Sequence, residues 1–473
     1  MDAETEASRN PKEFQKVFFH PNGYLDELIE REKFILYGRK GDGKTAYGAQ
    51  IQLTAEERNV YVRPCSMNKF NDLVFSRIKS YQDLGGNTYI HFWKCVLMIE
   101  CVRMLYRYNP NIQADSFVSI VEALSRHDFL KIENDISSTV IRLVESDTTL
   151  SVKGIFQQRA KFAKESELRG AEQIFQVIRD SIQTIYLNNK KFLLIVDGLD
   201  DVLNSDECNP NIIMGLLRAV DEINTYFQYH GELSLKILVL IREDILKLCR
   251  DPNRSKIVRD SGLKLSWTIS GSPYESDLIR LVSRRVAQIV SVETGEDAFA
   301  TMWKDIFPDT IGMKDSLDYV LENIIYRPRD ILQFFTEAQK RFVPGRLLSL
   351  EDIQTVLRQY SEDYFIDAMQ DELTGFFPDA VVSVLPSILS QLESREFLLS
   401  DFQKECDDYP EFSGVSPLAV LDKLFNAGYI GQLRQRDKKD YTVFSYRNPH
   451  ETFRASDPCL VHRGLTRALP GLQ

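Results

Sequence analysis

A chain of 473 residues is longer than one ordinary core requires, so we expect several domains. Its composition, 43% hydrophobic with 28 Phe and 20 Tyr, excludes a disordered chain. A net charge of −11 argues against a protein that coats nucleic acid everywhere, although a local basic surface is compatible with it. The polar start has no secretory signal and no apolar run is long enough for a bilayer, so we expect a cytoplasmic protein with no membrane segment.

The seven cysteines form no CxxC pair and lie near no histidine at metal-ligand spacing. We therefore expect buried free thiols rather than a disulfide framework or a zinc site.

The first half of the chain predicts an α/β core with a helical insertion. After a polar lead-in (1–30), KFILY at 33–37 predicts a strand that ends at a glycine-rich turn, and TAYGAQIQL after the turn predicts a helix. NVYV at 59–62 predicts a second strand. The stretch at about 65–189 shows only helical periodicity, which we interpret as a large helical insertion.

Three further apolar runs complete the predicted core, which spans 31–270. KFLLIV at 191–196 and LKILVLI at 235–241 are continuous, as expected for strands of a parallel sheet that is covered on both faces. LKLSWT at 263–268 predicts a fifth strand. The helical periodicity that follows, over 271–345, predicts a helical lid.

The remaining residues, 346–473, predict helices around 380–392, 399–406 and 417–427. Two β-like runs follow, YIGQL and YTVFSY, joined by the charged turn RQRDKKD. Helices followed by such a hairpin indicate a winged-helix domain.

The glycine-rich turn matches GxxxxGK[ST] in full and lies between a predicted strand and a predicted helix, as a P-loop requires. Glycines let backbone N–H groups surround phosphates, Lys44 reaches the β and γ phosphates, and the Thr45 hydroxyl binds Mg²⁺. The motif predicts binding of ATP with Mg²⁺, since no guanine-reading NKxD element is present. The predicted nucleotide-binding residues are Gly38, Gly41, Asp42, Gly43, Lys44, Thr45 and Ala46.

Acidic residues follow the strand at 191–196 in the sequence DGLDD. Asp197, at the strand end, is the predicted second Mg²⁺ ligand, acting through the metal's water shell. Either Asp200 or Asp201 could polarise the attacking water, and the sequence does not distinguish between them. The less common alternative is that these two acids only solvate the strand end and cap the next helix.

Several arginines are candidates for contacts with the γ phosphate. Arg242 ends the strand at 235–241 and would sense the phosphate if that strand neighbours the P-loop strand, although a surface arginine is nearly as common an explanation. YRPRD at 326–330 begins a predicted lid helix, where either Arg327 or Arg329 could reach the phosphates, and Arg329 is the better candidate. Arg254 and Arg259 could reach a nucleotide in a neighbouring subunit, although solvated charges are the commoner explanation.

The charged turn of the predicted wing could contact the phosphate backbone of DNA, although solvated hairpin charges are again the commoner explanation. Its basic residues are Arg434, Arg436, Lys438 and Lys439, set against Asp437 and Asp440.

The segments ILYGRKGDGKTA, FLLIVDGLDD, ILVLIRED and YRPRDILQFF, in that order and with a terminal HRGLTRAL, resemble bacterial P-loop ATPases of the STAND and AAA+-like branch. These are close to origin-recognition-type ATPases and are often encoded in mobile or anti-phage defence loci. The resemblance implies a sheet of order 5-1-4-3-2, a helical lid, a winged helix and a homo-oligomer. It also implies a sensor 1 role for Arg242 and a sensor 2-like role for Arg329. Since no fused effector is visible, a separate partner such as a nuclease would supply any damaging activity.

Our leading hypothesis is an ATP-hydrolysing switch in a defence or signalling assembly, in which ATP closes the lid through Arg329. The alternative is a DNA-binding regulator that contains nucleotide but has little turnover. A kinase for a small acceptor is a third hypothesis, for which no acceptor-binding signature is legible.

Overall fold

The computed structural model describes residues 3–20, 23–30, 32–67, 74–75, 78, 88–130, 136–145, 149–152, 166–169, 171–187, 189–199, 210–230, 233–290, 296–436 and 439–472. The chain forms two compact units. The first contains most of the chain up to Leu265. The second contains Ser266–Gln473 together with the short segments Lys16–Pro21 and Arg39–Gly43.

The strands are numbered in chain order through the described residues. They are β1 (Ile35–Gly38), β2 (Val60–Ser66), β3 (Thr149–Val152), β4 (Ser166–Arg169), β5 (Lys191–Asp197), β6 (Ser234–Arg242), β7 (Gly262–Lys264), β8 (Thr310–Ile311), β9 (Lys314–Asp315), β10 (Glu396–Phe397), β11 (Ile430–Arg436), β12 (Lys439–Val443) and β13 (Cys459–Val461).

A parallel sheet forms the centre of the first unit. Among the described strands it contains five, in the order β2-β5-β6-β1-β7. The interior of β5 is buried without interruption, because a parallel sheet with helices on both faces hides every side chain. The predicted mixed α/β fold with a parallel sheet is confirmed.

Helices of the first unit pack against this sheet. A Cβ added to Gly48 would lie 3.1 Å from Leu240 Cδ1 on β6, so a glycine lets the helix after β1 approach the sheet closely. The helices up to residue 265 are Ala3–Arg9, Pro11–Val17, Tyr24–Glu30, Lys44–Leu53, Thr88–Tyr108, Asp115–Arg126, Ser137–Glu145, Ala171–Gln183, Pro210–His230, Glu243–Leu248 and Arg254–Ser261.

The structure corrects three sequence expectations here. Residues 1–30 are not merely a polar lead-in: they hold three helices, because Phe14 and Leu28 provide buried anchors. The segment at about 65–189 is not purely helical, since β3 and β4 form an antiparallel hairpin within it. The fifth sheet strand ends at Lys264 rather than at residue 268, because Trp267 is buried in the hydrophobic core of the second unit.

The second unit is mainly helical. Its helices are Asp277–Val290, Glu296–Ile306, Ser316–Leu321, Pro328–Gln339, Leu350–Tyr360, Ile366–Leu373, Asp379–Gln391, Leu399–Asp407, Pro417–Ala427 and Arg463–Thr466, with the π-helical turn Ser361–Phe365 between two of them. One hydrophobic core runs from Trp267 to Leu469 and includes the stacked rings of Trp303 and Phe307, whose centroids are 3.9 Å apart. A short antiparallel hairpin, β8 and β9, interrupts the predicted lid.

The last helices of the second unit are followed by an antiparallel sheet of order β10-β13-β11-β12. The hairpin of β11 and β12 was predicted. The other two strands of this sheet, β10 and β13, were not predicted, because each is too short to show an alternation of apolar and polar residues. None of the helices in the described part of the chain is long and apolar enough to span a membrane.

Candidate functional site

The GxxxxGK[ST] segment adopts the conformation that its glycines permit. β1 ends at Gly38 and a helix begins at Lys44. Between them, Gly41 and Gly43 have φ angles of +87° and +98°, which side chains with a Cβ rarely adopt. These turns allow successive N–H groups to face the same space just before a helix N-terminus, where an anion is stabilised.

Lys44, Thr45 and Ala46 form the first turn of this helix. Lys44 is buried, and its Nζ donates a hydrogen bond to the carbonyl oxygen of Gly38 at 3.4 Å, so the ammonium group is folded back over the loop. Thr45 is exposed and Ala46 half-buried in the first turn. A phosphate beside the loop would meet the Lys44 ammonium, and a Mg²⁺ ion would meet the Thr45 hydroxyl.

Asp42 has a structural role within the loop. Its side chain is buried, and its Oδ2 accepts a hydrogen bond of 2.7 Å from the backbone N–H of Arg39. Its backbone carbonyl oxygen accepts a bond of 3.0 Å from the indole N–H of Trp267. Asp42 therefore closes the turn with its carboxylate, and a neutral side chain could not attract the Arg39 N–H as strongly.

The segment Arg39–Gly43 packs against the start of the helix Pro328–Gln339. The guanidinium of Arg39 donates to the carbonyl oxygen of Tyr326 at 2.7 Å, and that of Arg327 donates to the carbonyl oxygen of Lys40 at 3.1 Å. Arg327, the residue before Pro328 in the YRPRD pattern, was the less favoured of the two arginine candidates there. Arg39 from the loop and Arg327 from the start of the helix therefore each donate a hydrogen bond across this contact.

Arg327 and Arg329 differ in their surroundings. Arg329 is exposed and its side chain makes no hydrogen bond with the described residues, while its backbone N–H lies 3.5 Å from the carbonyl oxygen of Gly41. A Cβ placed on Gly41 would lie 3.2 Å from Arg329 Cβ. The guanidinium of Arg329 therefore starts beside the loop and remains available to a ligand there.

Arg327 is buried within a polar network of the second unit. Its Nε pairs with Asp330, its Nη2 donates to the Tyr429 hydroxyl at 2.9 Å, and the Tyr360 hydroxyl donates to Asp330 Oδ1 at 2.7 Å. Burial opposes the charge, but the Asp330 carboxylate raises the pKa of Arg327 well above its ordinary value. The network joins the carbonyl oxygen of Lys40 to residues that precede β11.

The carboxyl ends of β5 and β6 carry the other predicted groups. Asp197 ends β5, is half-buried, and accepts a hydrogen bond of 2.7 Å from the N–H of Gly198. Arg242 ends β6 and pairs in register with Gly38 at the end of β1, so the predicted neighbourhood of these strands is present. Its buried guanidinium makes two hydrogen bonds with the Asp244 carboxylate, of 3.0 and 2.6 Å. Because the strands are parallel, both side chains lie at the edge of the sheet where the P-loop begins.

Other predicted residues lie elsewhere or outside the described residues. Asp200 and Asp201 belong to the latter group. Arg254 donates to the carbonyl oxygens of Lys247 and Cys249, both at 3.1 Å. Arg259 is 76% exposed and pairs with the adjacent Asp260.

The predicted wing residues do not form one basic tip. Arg434 is buried and ion-paired with Glu451 and with Asp457, the latter at 3.0 Å, so its charge is neutralised inside the protein. Lys439 is exposed at the start of β12 and Arg436 ends β11, whereas Lys438 lies outside the described residues.

Residues 276–369, which lie within the second unit, match the family described as the FunZ-associated C-terminal helical domain. The chain is also similar to the transposon gamma-delta 80.3 kDa protein of Escherichia coli strain K12, with 19% identity over 482 aligned positions. The alignment covers 97% of this chain but only 65% of that relative, so the chain spans about two thirds of the relative's length.

Two solved structures of the ORC2 protein of Aeropyrum pernix also match. The one with ADPNP and ADP has 12% identity, covers 97% of this chain and 92% of its own, and gives a TM-score of 0.34. The ADP form has 13% identity, covers 92% and 94%, and gives a TM-score of 0.30. At these scores the likeness adds nothing to what the chain's own sheet and loop show.

Proposed function

We propose that this protein is a Mg²⁺-dependent, ATP-binding and ATP-hydrolysing switch. The observation that carries the proposal is the complete GxxxxGK[ST] segment folded as strand, turn and helix, with Gly41 and Gly43 at positive φ. A turn of that length and conformation, followed at once by a buried lysine at a helix N-terminus, fits a chain of phosphates.

Different residues at the carboxyl edge of the sheet would bind the phosphates and the Mg²⁺ ion. Lys44 would neutralise the β and γ phosphates, and the Thr45 hydroxyl and Asp197 would hold Mg²⁺, directly and through water. The metal supplies charge stabilisation when it is bound. Arg242 is oriented by Asp244, which would hold its position while a phosphate competes for one of its N–H groups.

Water activation is assigned to the DGLDD segment. Asp200 or Asp201 would accept a proton from the attacking water. In an oligomer, Arg254 or Arg259 of one copy would stabilise the transition-state charge at another copy's nucleotide. Of these two, Arg259 has the exposed guanidinium that such a contact needs.

The switch would act through the contacts of the segment Arg39–Gly43. Nucleotide binding would change the surroundings of this loop. The Lys40 carbonyl oxygen accepts a hydrogen bond from Arg327, which in turn donates to the Tyr429 hydroxyl. A change in loop conformation would therefore alter the contacts of the residues before β11, in the region that we interpret as a winged helix. Arg329, which is exposed beside Gly41, would respond to the γ phosphate. A separate effector protein in a defence or signalling assembly would bind or be released according to this nucleotide-dependent change.

A hydrolysis assay tests the catalytic half of this proposal. The 473-residue chain is incubated with ATP, with and without Mg²⁺, and phosphate release is compared with that of Lys44→Ala and Asp197→Asn. We expect Mg²⁺-dependent release that falls at least about 100-fold in both variants. The control is Lys256→Ala, which removes an exposed lysine at the opposite edge of the sheet. Equal release from wild type and Lys44→Ala would refute the site.

The second candidate is a DNA-binding regulator with little turnover. It is favoured by the hairpin of β11 and β12, which follows three helices and exposes Lys439 near its turn. Salt-dependent binding of duplex DNA that weakens in Lys439→Gln, without measurable phosphate release, would favour this function over the first.

A further inference from the structure

A cavity of about 500 Å³ lies in the second unit, away from the P-loop segment. Its charged lining consists of four arginines, and among the described residues that line it none is acidic. In a chain with a net charge of −11, such a concentration of guanidiniums is unexpected on composition alone. The four are Arg358, Arg395, Arg463 and Arg467.

The fold holds two of these guanidiniums in place. Arg467 donates through Nε to Asn323 Oδ1 and through Nη2 to the Tyr319 hydroxyl, both at 2.8 Å. Arg395 donates through Nε to the carbonyl oxygen of Val461 at 2.6 Å. The partner of Arg395 is neutral, so it orients that guanidinium without cancelling its charge.

The other two arginines add charge that is only partly compensated. Arg463 pairs with Glu322, which also pairs with Lys314. Arg358 is exposed, and its guanidinium has no hydrogen-bond partner among the residues that the structure describes. The cavity therefore carries more positive than negative charge.

The electrostatic cost of this arrangement is visible at Arg395. Burial, and after it the nearby charge of Arg463, lower the pKa of Arg395 to about 10. A guanidinium whose charged form is disfavoured by its surroundings gains stability when an anion enters. The arginine cluster therefore raises the electrostatic free energy of the protein when no anion is bound, and a bound anion lowers it.

We propose that this cavity binds a small ligand that bears two or more phosphate charges. A carboxylate brings one charge, whereas a phosphate group brings up to about two and accepts forked hydrogen bonds from several guanidiniums at once. The volume is within the roughly 300 to 1,000 Å³ that is usual for small-molecule pockets. The proposal is independent of the P-loop and does not require ATP hydrolysis.

The location distinguishes a small ligand from a DNA backbone. Arg463 follows β13, whose Val461 pairs with Ile430 at the first residue of β11. The charged turn of the predicted wing is at the other end of β11, about 20 Å away along the strand. DNA phosphates form a row and need cations along a line. These arginines surround one concave space, which fits a compact ligand better.

Inorganic pyrophosphate is the probe for the test. Its binding is measured by calorimetric titration into the 473-residue chain carrying Lys44→Ala, so that the P-loop does not contribute. We expect saturable binding that becomes about 5- to 10-fold weaker in Arg358→Gln, because one charge-assisted hydrogen bond is lost. Folding should not suffer, since this side chain is exposed and unpaired in the described structure. The matched control is Arg341→Gln, an equal charge change at an exposed residue outside the cavity.

Two outcomes would overturn the proposal. The first is no saturable binding of pyrophosphate, or equal weakening by Arg341→Gln, which would reduce the effect to general surface charge. The second comes from a parallel titration with a short DNA duplex. If Arg358→Gln weakens duplex binding while pyrophosphate neither binds nor competes, the arginines belong to a nucleic-acid surface instead.

Discussion

The replacement of Arg327 by methionine tests whether the buried polar network stabilises the second unit. Methionine has similar length and no charge, so it fills the space without supplying a donor. The substitution removes the ion pair with Asp330 and the hydrogen bonds to the Lys40 carbonyl oxygen and the Tyr429 hydroxyl. Asp330 has no exposed surface and would keep the hydroxyl of Tyr360 as its remaining side-chain donor in the described structure.

The expected size of the effect follows from this geometry. Breaking a buried ion pair from one side costs about 3–5 kcal/mol, mostly because the other charge stays buried without compensation. The double variant Arg327→Met with Asp330→Leu removes both charges, so its cost should be smaller than that of Arg327→Met alone. This recovery distinguishes electrostatic compensation from simple loss of packing.

Urea unfolding monitored by tryptophan fluorescence measures the effect. In a Trp93→Phe background the remaining tryptophans, Trp267 and Trp303, both belong to the second unit, so the signal reports on that unit. Arg327→Lys is the control, because it keeps the charge but cannot reach three acceptors. A loss of less than about 1 kcal/mol in Arg327→Met, or additive effects in the double variant, would refute the reasoning.

Three further predictions concern pH, the loop and the first unit. Burial, and after it the nearby arginines, hold the pKa of His462 well below its usual value. The neutral imidazole therefore carries no protonation penalty on folding above about pH 6.5, the ordinary pKa of histidine. Below that pH, the unfolding free energy of wild type and of the exposed control His450→Gln should fall by roughly 1.4 kcal/mol per pH unit. The unfolding free energy of His462→Gln should fall less steeply, because this variant lacks the buried imidazole. Gly41→Ala should weaken nucleotide binding, whereas Gly345→Ala, at a similar φ of +79° with open space around it, should leave it unchanged in a direct titration. Glu100→Gln should lower the unfolding free energy of the first unit by about 3–5 kcal/mol in a urea titration, because it leaves two buried guanidiniums without their carboxylate.

Most of the correct predictions came from patterns of neighbouring residues in the sequence, such as motifs and apolar runs. The P-loop was legible because the motif, the strand before it and the helix after it are contiguous in the chain. The β5 and β6 strands were legible because a sheet covered on both faces requires uninterrupted apolar runs. The hairpin of β3 and β4 was missed, since its strands have four residues each and too little alternation to distinguish them from helix.

What the sequence could not predict depends on contacts between distant residues. Arg327 and Arg329 stand two positions apart in one pattern, and the partners that bury Arg327 include Lys40 and Tyr429, which are distant from it in the sequence. In the same way Arg434 resembles any basic hairpin residue until Glu451 and Asp457 are seen to surround it. Periodicity identifies elements, but it does not identify which charged residue finds an interior partner.

Direct measurement of ATP binding tests the central claim. Calorimetric titration of Mg·ATP into wild type and Lys44→Ala, with Lys256→Ala as control, separates the P-loop from general surface charge. We expect wild type and the control to bind equally, and Lys44→Ala to bind about 100-fold more weakly because a buried charge-assisted contact to phosphate is lost. Equal affinity in wild type and Lys44→Ala, or no binding by wild type, would contradict the assignment of Arg39–Gly43 and Lys44 as the nucleotide site.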